Sequence, residues 1–148
     1  MTTKIQKALV GGIAGTAAMT MVTFIAPMMG MPKMSPPAML SMMMGFPIVV
    51  GWMMHFIIGI IFAMAYAFFF INVVKKIGNN ILKGTIFGMA VFIFAQIMMA
   101  IMGAMLGGMP PMEGSMMLIM VGSIIGHIVF GIVTVLFIKE PVAQKSFA

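Results

Sequence analysis

Long apolar stretches alternate with short connections along almost the whole chain. A helix needs about 20 residues to cross a hydrocarbon core about 30 Å thick, because each residue adds about 1.5 Å. Four stretches reach that length, at residues 8–29, 48–74, 81–106 and 115–138. None shows the strict alternation of a transmembrane β-strand, so the pattern predicts an all-α integral membrane protein with four transmembrane helices.

Glycine, proline and asparagine mark the connections between the predicted helices. The first connection, residues 30–47, holds four prolines and predicts a short interfacial helix at residues 38–44. The second, residues 75–80, is rich in glycine and asparagine and predicts a tight turn. The third covers residues 107–114, and the tail, residues 139–148, is expected to be short and mobile.

Charged residues are rare and lie mostly at one side of the predicted membrane. They make up 7% of the chain, against 63% hydrophobic residues, whereas soluble domains carry about 25% charged residues. An ordinary soluble domain is therefore excluded. Of the eight lysines, Lys33 stands alone on one side, which we call the outer side. The lysines of the other, inner side are Lys4, Lys7, Lys75, Lys76, Lys83, Lys139 and Lys145.

This bias predicts the orientation and the location of the protein. Positive residues favour the cytoplasmic side, so we expect cytoplasmic N and C termini in the cytoplasmic membrane of a prokaryote. The lysines lie at helix ends and form no solvated patch, so no nucleic-acid partner is expected despite the net charge of +6. We expect the protein to lie in the lipid bilayer. The sequence leaves open whether it forms a homodimer or joins a larger membrane complex.

The two halves of the chain resemble each other. Each begins near lysine with a glycine-rich helix, and each second helix carries a histidine followed four residues later by glycine, as in His55 with Gly59 and His127 with Gly131. We interpret the chain as two tandem, similar helical hairpins, related by an axis along the membrane normal. The repeats cover about residues 4–74 and 80–138 of a single transmembrane domain, residues 1–148.

One polar side chain in each helix is expected at a similar depth. Counting from the helix ends places Thr20, His55, Gln96 and His127 roughly 10–12 Å below the outer surface. Small residues recur every four positions beside these side chains, and such stripes face other helices rather than lipid. The pattern therefore predicts a polar layer on the inner side of the bundle.

His55 and His127 are the only ionisable side chains predicted deep in the membrane, which makes them functional candidates. In one interpretation they only hydrogen-bond neighbours such as Thr20, Gln96 or Ser123 and join helices. In a second, they ligate haem b, with Gly59 and Gly131 leaving room for the macrocycle. In a third, they bind Cu(I) or another soft ion together with thioethers, for which the candidates are Met54, Met98 and Met102.

The 24 methionines are concentrated on the outer side, while the inner half uses Phe, Ile, Val and Ala. Methionine is a pliable apolar residue that adapts to irregular packing or to a partner. It is also a soft ligand, so a thioether-rich outer vestibule for Cu(I) or Ag(I) is the alternative interpretation.

Enzyme signatures are missing from the sequence. The chain has no Asp and no Cys, which excludes a Ser-His-Asp triad and a thiolate site, and no H-E-x-x-H or phosphate-loop motif occurs. We therefore expect a non-enzymatic protein that holds haem or a soft metal for electron transfer, metal handling or as an accessory subunit. The alternatives are a structural subunit with a methionine-rich docking face and a Cu(I) or small-solute transporter.

The second predicted helix carries the pattern Gly-Trp-x-x-His-Phe-x-x-Gly, formed by Gly51, Trp52, His55, Phe56 and Gly59. With the basic start, the glycine-rich first helix and the Met/Pro connection, this pattern resembles a family of small four-span bacterial membrane proteins of unknown function. The resemblance implies a four-helix membrane fold and no activity.

Overall fold

The computed structural model describes residues 2–108, 111 and 113–139, which form helices and no strand. The helices are α1 (Thr2–Ile25), α2 (Pro36–Met44), α3 (Ile48–Ala65), α4 (Ile71–Val73), α5 (Asn80–Leu106) and α6 (Met116–Phe137). A 3₁₀ turn at Ala26–Met29 extends α1, and a π-helical turn at Tyr66–Phe70 joins α3 to α4. The predicted mobile tail after Lys139, and Met109, Pro110 and Met112, lie outside the described residues.

The predicted four-span pattern is confirmed in the part of the chain that the structure describes. Four helical segments are long and apolar enough to cross a membrane: Thr3–Met29, Ile48–Val73, Asn80–Leu106 and Met116–Phe137. These segments agree with the apolar stretches within a few residues, because the same hydropathy defines both.

Local sequence explains where several helices begin and end. Asn79 caps α5, since its side-chain oxygen accepts two backbone N–H groups of the first turn at 2.8 and 3.2 Å. Ser35 caps α2 by accepting one backbone N–H, that of Ala38, at 3.4 Å, with Pro36 at the first helical position. Gly45 and Gly107 end α2 and α5 in the left-handed conformation, with φ of 68° and 89°, which glycine adopts without strain.

Helices α1 and α6 pack against each other at the centre of the bundle, with α3 on α1 and α5 on α6. Glycines allow each close approach. Gly12 of α1 lies against the backbone of Gly59 and Ile60 in α3, and Gly84 of α5 lies against the backbone of Ile132 in α6. In lipid, helices associate through such van der Waals contacts, because burying apolar side chains there gains little.

Helices α3 and α5 meet through aromatic side chains rather than through close backbone packing. The Phe87 ring centroid lies 4.8 Å from that of Tyr66 and 5.2 Å from that of Phe70. Nearer the outer side, Phe62 and Phe94 form an edge-to-face pair at 5.5 Å. An aromatic layer therefore closes this side of the bundle in its inner half.

The short helix predicted in the first connection is present as α2, and it packs against α3. The carbonyl of Pro37 and the side chain of Ser41 lie directly against Gly51 of α3, where any larger residue would collide. Whether α2 also lies in the membrane interface stays a prediction.

Candidate functional site

The two histidines lie at the same level of α1, each on a different neighbouring helix. His55 of α3 is 8% exposed, and its Nε2 lies 3.2 Å from the Thr20 hydroxyl of α1. Met19, the residue before Thr20, packs against Gly126, the residue before His127 in α6. Thr20 and His55 are therefore in contact in the folded chain, as the predicted polar layer requires of these two residues.

Hydrogen bonding at Thr20 defines the tautomer of His55. The single hydroxyl hydrogen of Thr20 is donated to the carbonyl of Thr16 at 2.8 Å, because a carbonyl can only accept. The Nε2–H of His55 therefore donates to the Thr20 oxygen, and the lone pair of the neutral ring is on Nδ1. Trp52 and Phe56 contact the His55 ring edge-on, with centroid distances of 6.5 and 6.1 Å.

His127 is held in the opposite tautomer by its own helix. Its Nδ1 lies 2.8 Å from the carbonyl oxygen of Ser123, one turn earlier, so Nδ1 carries the hydrogen and donates it. The lone pair of the neutral ring is then on Nε2, which has no hydrogen-bond partner among the described residues. The Phe92 ring of α5 packs edge-on against the imidazole at 5.6 Å.

The glycines one turn beyond the histidines border neighbouring helices. Gly59 lies against the Thr16 side chain, and Gly131 lies against the backbone of Gly84 and Gly88. The haem interpretation required free space beside these glycines for the edge of the macrocycle. In this structure, the facing helix fills that space.

Gln96 does not join the buried layer, which corrects the expectation of one interior polar side chain in each helix. It is exposed on α5 and makes no hydrogen bond with any described residue. Each four-residue step turns about 400°, so three steps leave Gln96 roughly 120° from Gly84 around the helix. On α3, by contrast, α2 covers the stripe at Gly51, and α1 covers it at Gly59 and Ala63.

The three thioether candidates differ in burial. Met98 is 40% exposed, while Met54 and Met102 are half-buried. The structure adds other methionines along α6: Met19 is buried against Gly126, and Met31 and Met34 lie against Gly122. Their concentration on the outer side was visible in the sequence, but spacing alone does not show which of them fold onto α6.

Carboxylate and thiolate side chains do not complete a metal site with the histidines in the described part of the chain. Among the residues that the structure describes, no group of three or more His, Cys, Asp or Glu could hold a metal ion. Any ion at the histidines would therefore need thioether, hydroxyl or carbonyl ligands as well.

Long apolar helices that pack through glycine, with histidines between them, define a multi-pass α-helical membrane protein. The chain belongs to the family of unknown function DUF6789, whose model matches residues 2–144. This membership confirms the resemblance to a family without known activity that the motif at residues 51–59 indicated. No curated protein and no solved structure matches the chain.

Proposed function

We propose that this protein holds a soft monovalent metal ion, with Cu(I) as the best fit, beside His127 and His55. The observation that carries the proposal is the 2.8 Å hydrogen bond from Nδ1 of His127 to the Ser123 carbonyl. Metal-binding histidines typically donate their second N–H to a carbonyl or carboxylate, which directs the other nitrogen to the metal. Nε2 of His127 is the primary ligand in this proposal.

Thioethers supply the remaining ligands. Met19 is the first candidate, because it packs against Gly126 beside His127 and at the level of His55. Imidazole and thioether ligands suit Cu(I), and the chain has no cysteine thiolate to compete with them. Met54, Met98 and Met102 stay in the proposal as further outer ligands.

The geometry favours a soft ion over haem b. Nε2 of His55 is engaged by Thr20, and the faces of Gly59 and Gly131 are covered by neighbouring helices. A bare ion needs none of that space. In this function the protein is non-enzymatic and serves metal handling, or carries a metal as an accessory subunit of a membrane complex.

The proposed architecture consists of two similar hairpins with both termini in the cytoplasm of a prokaryote. Equivalent contacts recur 72 positions apart, which supports the repeat. The matched pairs are Gly12–Gly59 with Gly84–Gly131, and Thr20–His55 with Phe92–His127. The inner lysines support the orientation, and the Nζ of Lys7 lies 3.4 Å from the Lys139 carbonyl at the same end of the bundle.

Metal analysis and absorption spectra of the purified protein test the proposal. We expect stoichiometric Cu(I) under reducing conditions, measured by competition with a chromophoric chelator. His127→Ala should lower the affinity by about tenfold or more, and His55→Ala by less, because only His127 presents a free Nε2. The exposed residue Gln96 provides the control, since Gln96→Ala should leave the affinity unchanged.

Two outcomes would contradict the soft-ion site. Unchanged Cu(I) affinity in both folded histidine variants would exclude the histidines as ligands. A Soret band in the wild-type protein that disappears in both histidine variants would establish haem b instead.

A structural, partner-docking role is the second candidate. Four outer methionines are more than three-quarters exposed: Met28 at 83%, Met29 at 80%, Met105 at 79% and Met117 at 76%. Flexible thioether side chains at helix ends suit a partner surface. Under this alternative, Met28→Gln with Met29→Gln abolishes a partner complex, whereas His127→Ala leaves the complex intact.

A further inference from the structure

A groove of about 280 Å³ lies between the beginning of α1 and the end of α6, at the inner, lysine-rich end of the bundle. Its lining consists of Thr3, Gln6, Lys7, Val10 and Phe137. The groove is distant from the histidine site, and its chemistry is independent of any metal.

A close helix contact lies next to the groove, since Gly11 and Thr134 are neighbours of its lining residues in α1 and α6. The hydroxyl of Thr134 in α6 donates to the Gly11 carbonyl of α1 at 3.3 Å, and Gly11 also lies against Cβ of Phe137. The side chains of Val10 and Phe137 line the groove and are 51% and 46% exposed. The two helices therefore form a fixed cleft with apolar walls.

The chemistry of the groove changes along α1. At the beginning of α1, the groove is lined by hydrogen-bond donors, which belong to Thr3, Gln6 and Lys7. Val10 lies about one turn further along α1. A phospholipid at a membrane surface has the same order of groups, with a phosphate at the boundary and acyl chains toward the bilayer centre.

The described side chains that line the groove include one positive charge, that of Lys7, and no carboxylate. Glu140, which follows Lys139 in the sequence, lies outside the described residues. The Nζ of Lys4 lies over the Phe68 ring, 5.4 Å from its centroid. Within the described part of the chain, the hydrogen bond of Lys7 is to the carbonyl of Lys139. Glu113, the only carboxylate among the described residues, lies in the connection before α6, at the opposite end of that helix. Cationic pockets of this kind between transmembrane helices recognise anionic lipid headgroups.

We propose that this α1–α6 groove binds one anionic phospholipid, with the phosphate at Lys7, Gln6 and Thr3 and an acyl chain against Val10 and Phe137. The apolar walls distinguish this occupant from a free phosphate ion, which would leave them uncovered. The site is a fixed lipid position on the bundle, separate from general contact with the bilayer.

Native mass spectrometry of the delipidated full-length protein in detergent tests the proposal. The probes are phosphatidylglycerol, phosphatidylcholine and inorganic phosphate. We expect one phosphatidylglycerol to bind several-fold more tightly than phosphatidylcholine, and inorganic phosphate in millimolar excess not to displace it. Lys7→Gln should weaken phosphatidylglycerol binding about fivefold, the effect of one lysine near an anionic surface, while Lys7→Arg retains it.

Lys76→Gln is the matched control, because it removes the same charge from the exposed inner connection outside the groove. Equal losses in Lys7→Gln and Lys76→Gln would overturn the site in favour of diffuse attraction. Equal affinity for the two lipids, or displacement by inorganic phosphate, would overturn the lipid assignment. Unchanged helical circular dichroism and melting temperature in Lys7→Gln would establish that a loss of binding is not a loss of fold.

Discussion

The Thr20 hydroxyl lies 3.2 Å from Nε2 of His55 and joins α1 to α3 inside the bundle. Phe92 of α5 contacts the ring of His127 in α6 edge-on at 5.6 Å. One imidazole is therefore oriented by a neighbouring helix, and the other by the Ser123 carbonyl of its own helix. Among the described residues, the nitrogen without a hydrogen-bond partner is Nδ1 in His55 and Nε2 in His127, so the two imidazoles are chemically unequal.

Thr20→Val should destabilise the protein by about 0.5–1 kcal/mol, because it removes the interhelical hydrogen bond to His55 and keeps the side-chain shape. Reversible unfolding in mixed micelles measures the free energy. Thr85→Val is the matched control, since the Thr85 hydroxyl bonds only to the Ile81 carbonyl of its own helix, at 3.0 Å. Equal losses in the two variants would show that the Thr20–His55 bond contributes nothing.

Gly59→Ala should destabilise the α1–α3 contact by roughly 1–3 kcal/mol, because a Cβ at this position would overlap the Thr16 hydroxyl. Adding Thr16→Ala should recover part of the loss by removing that hydroxyl. Gly78→Ala is the control, because a Cβ there meets nothing within 4 Å, and its effect should be less than about 0.5 kcal/mol. A Gly59→Ala variant as stable as the wild type would contradict the observed packing.

Phe87→Ala should destabilise the protein by roughly 2 kcal/mol or more, because its dispersion contacts with Tyr66 and Phe70 connect α5 to the α3–α4 segment. Phe87 is 3% exposed, whereas Phe69 is 75% exposed and makes a suitable control. Phe69→Ala should change the unfolding free energy by less than about 0.5 kcal/mol. Similar unfolding free energies for these two variants would argue against the aromatic closure.

The orientation can be measured with single cysteines, because the natural chain contains none. A membrane-impermeant maleimide applied to intact spheroplasts should label Lys33→Cys and should label Lys76→Cys only after permeabilisation. Both lysines are exposed, so accessibility within the fold does not bias the comparison. Labelling in the reverse order would invert the proposed topology and place the histidines nearer the cytoplasm.

The sequence alone predicts a large part of this architecture. The apolar stretches correspond to the four long helices, and the short helix predicted at residues 38–44 is found at Pro36–Met44. The glycine spacing indicated helix–helix faces, which the contacts of Gly12 and Gly59 bear out. These features are local, because helix length, capping and small-residue stripes depend on a few consecutive turns of chain.

The composition of the histidine site could be predicted only in part. Thr20 and His55 meet, as their depths suggested, whereas Gln96, at a similar depth, is exposed on α5. The contact of Gly126 with Met19 had no signal in spacing, since it depends on how α1 and α6 are rotated against each other.

The amino-acid pattern is enough to define the number and extent of the long helices, because backbone groups inside a bilayer must pair within their own segment and each crossing needs a minimum apolar length. Which polar residues of those helices meet depends instead on how the helices pack. A four-residue stripe drifts around its helix, so it stays buried only where successive neighbours cover it, as α2 does at Gly51 and α1 does at Gly59 and Ala63. Beyond Phe92 the stripe on α5 lacks such cover, and Gln96 is left outside the site.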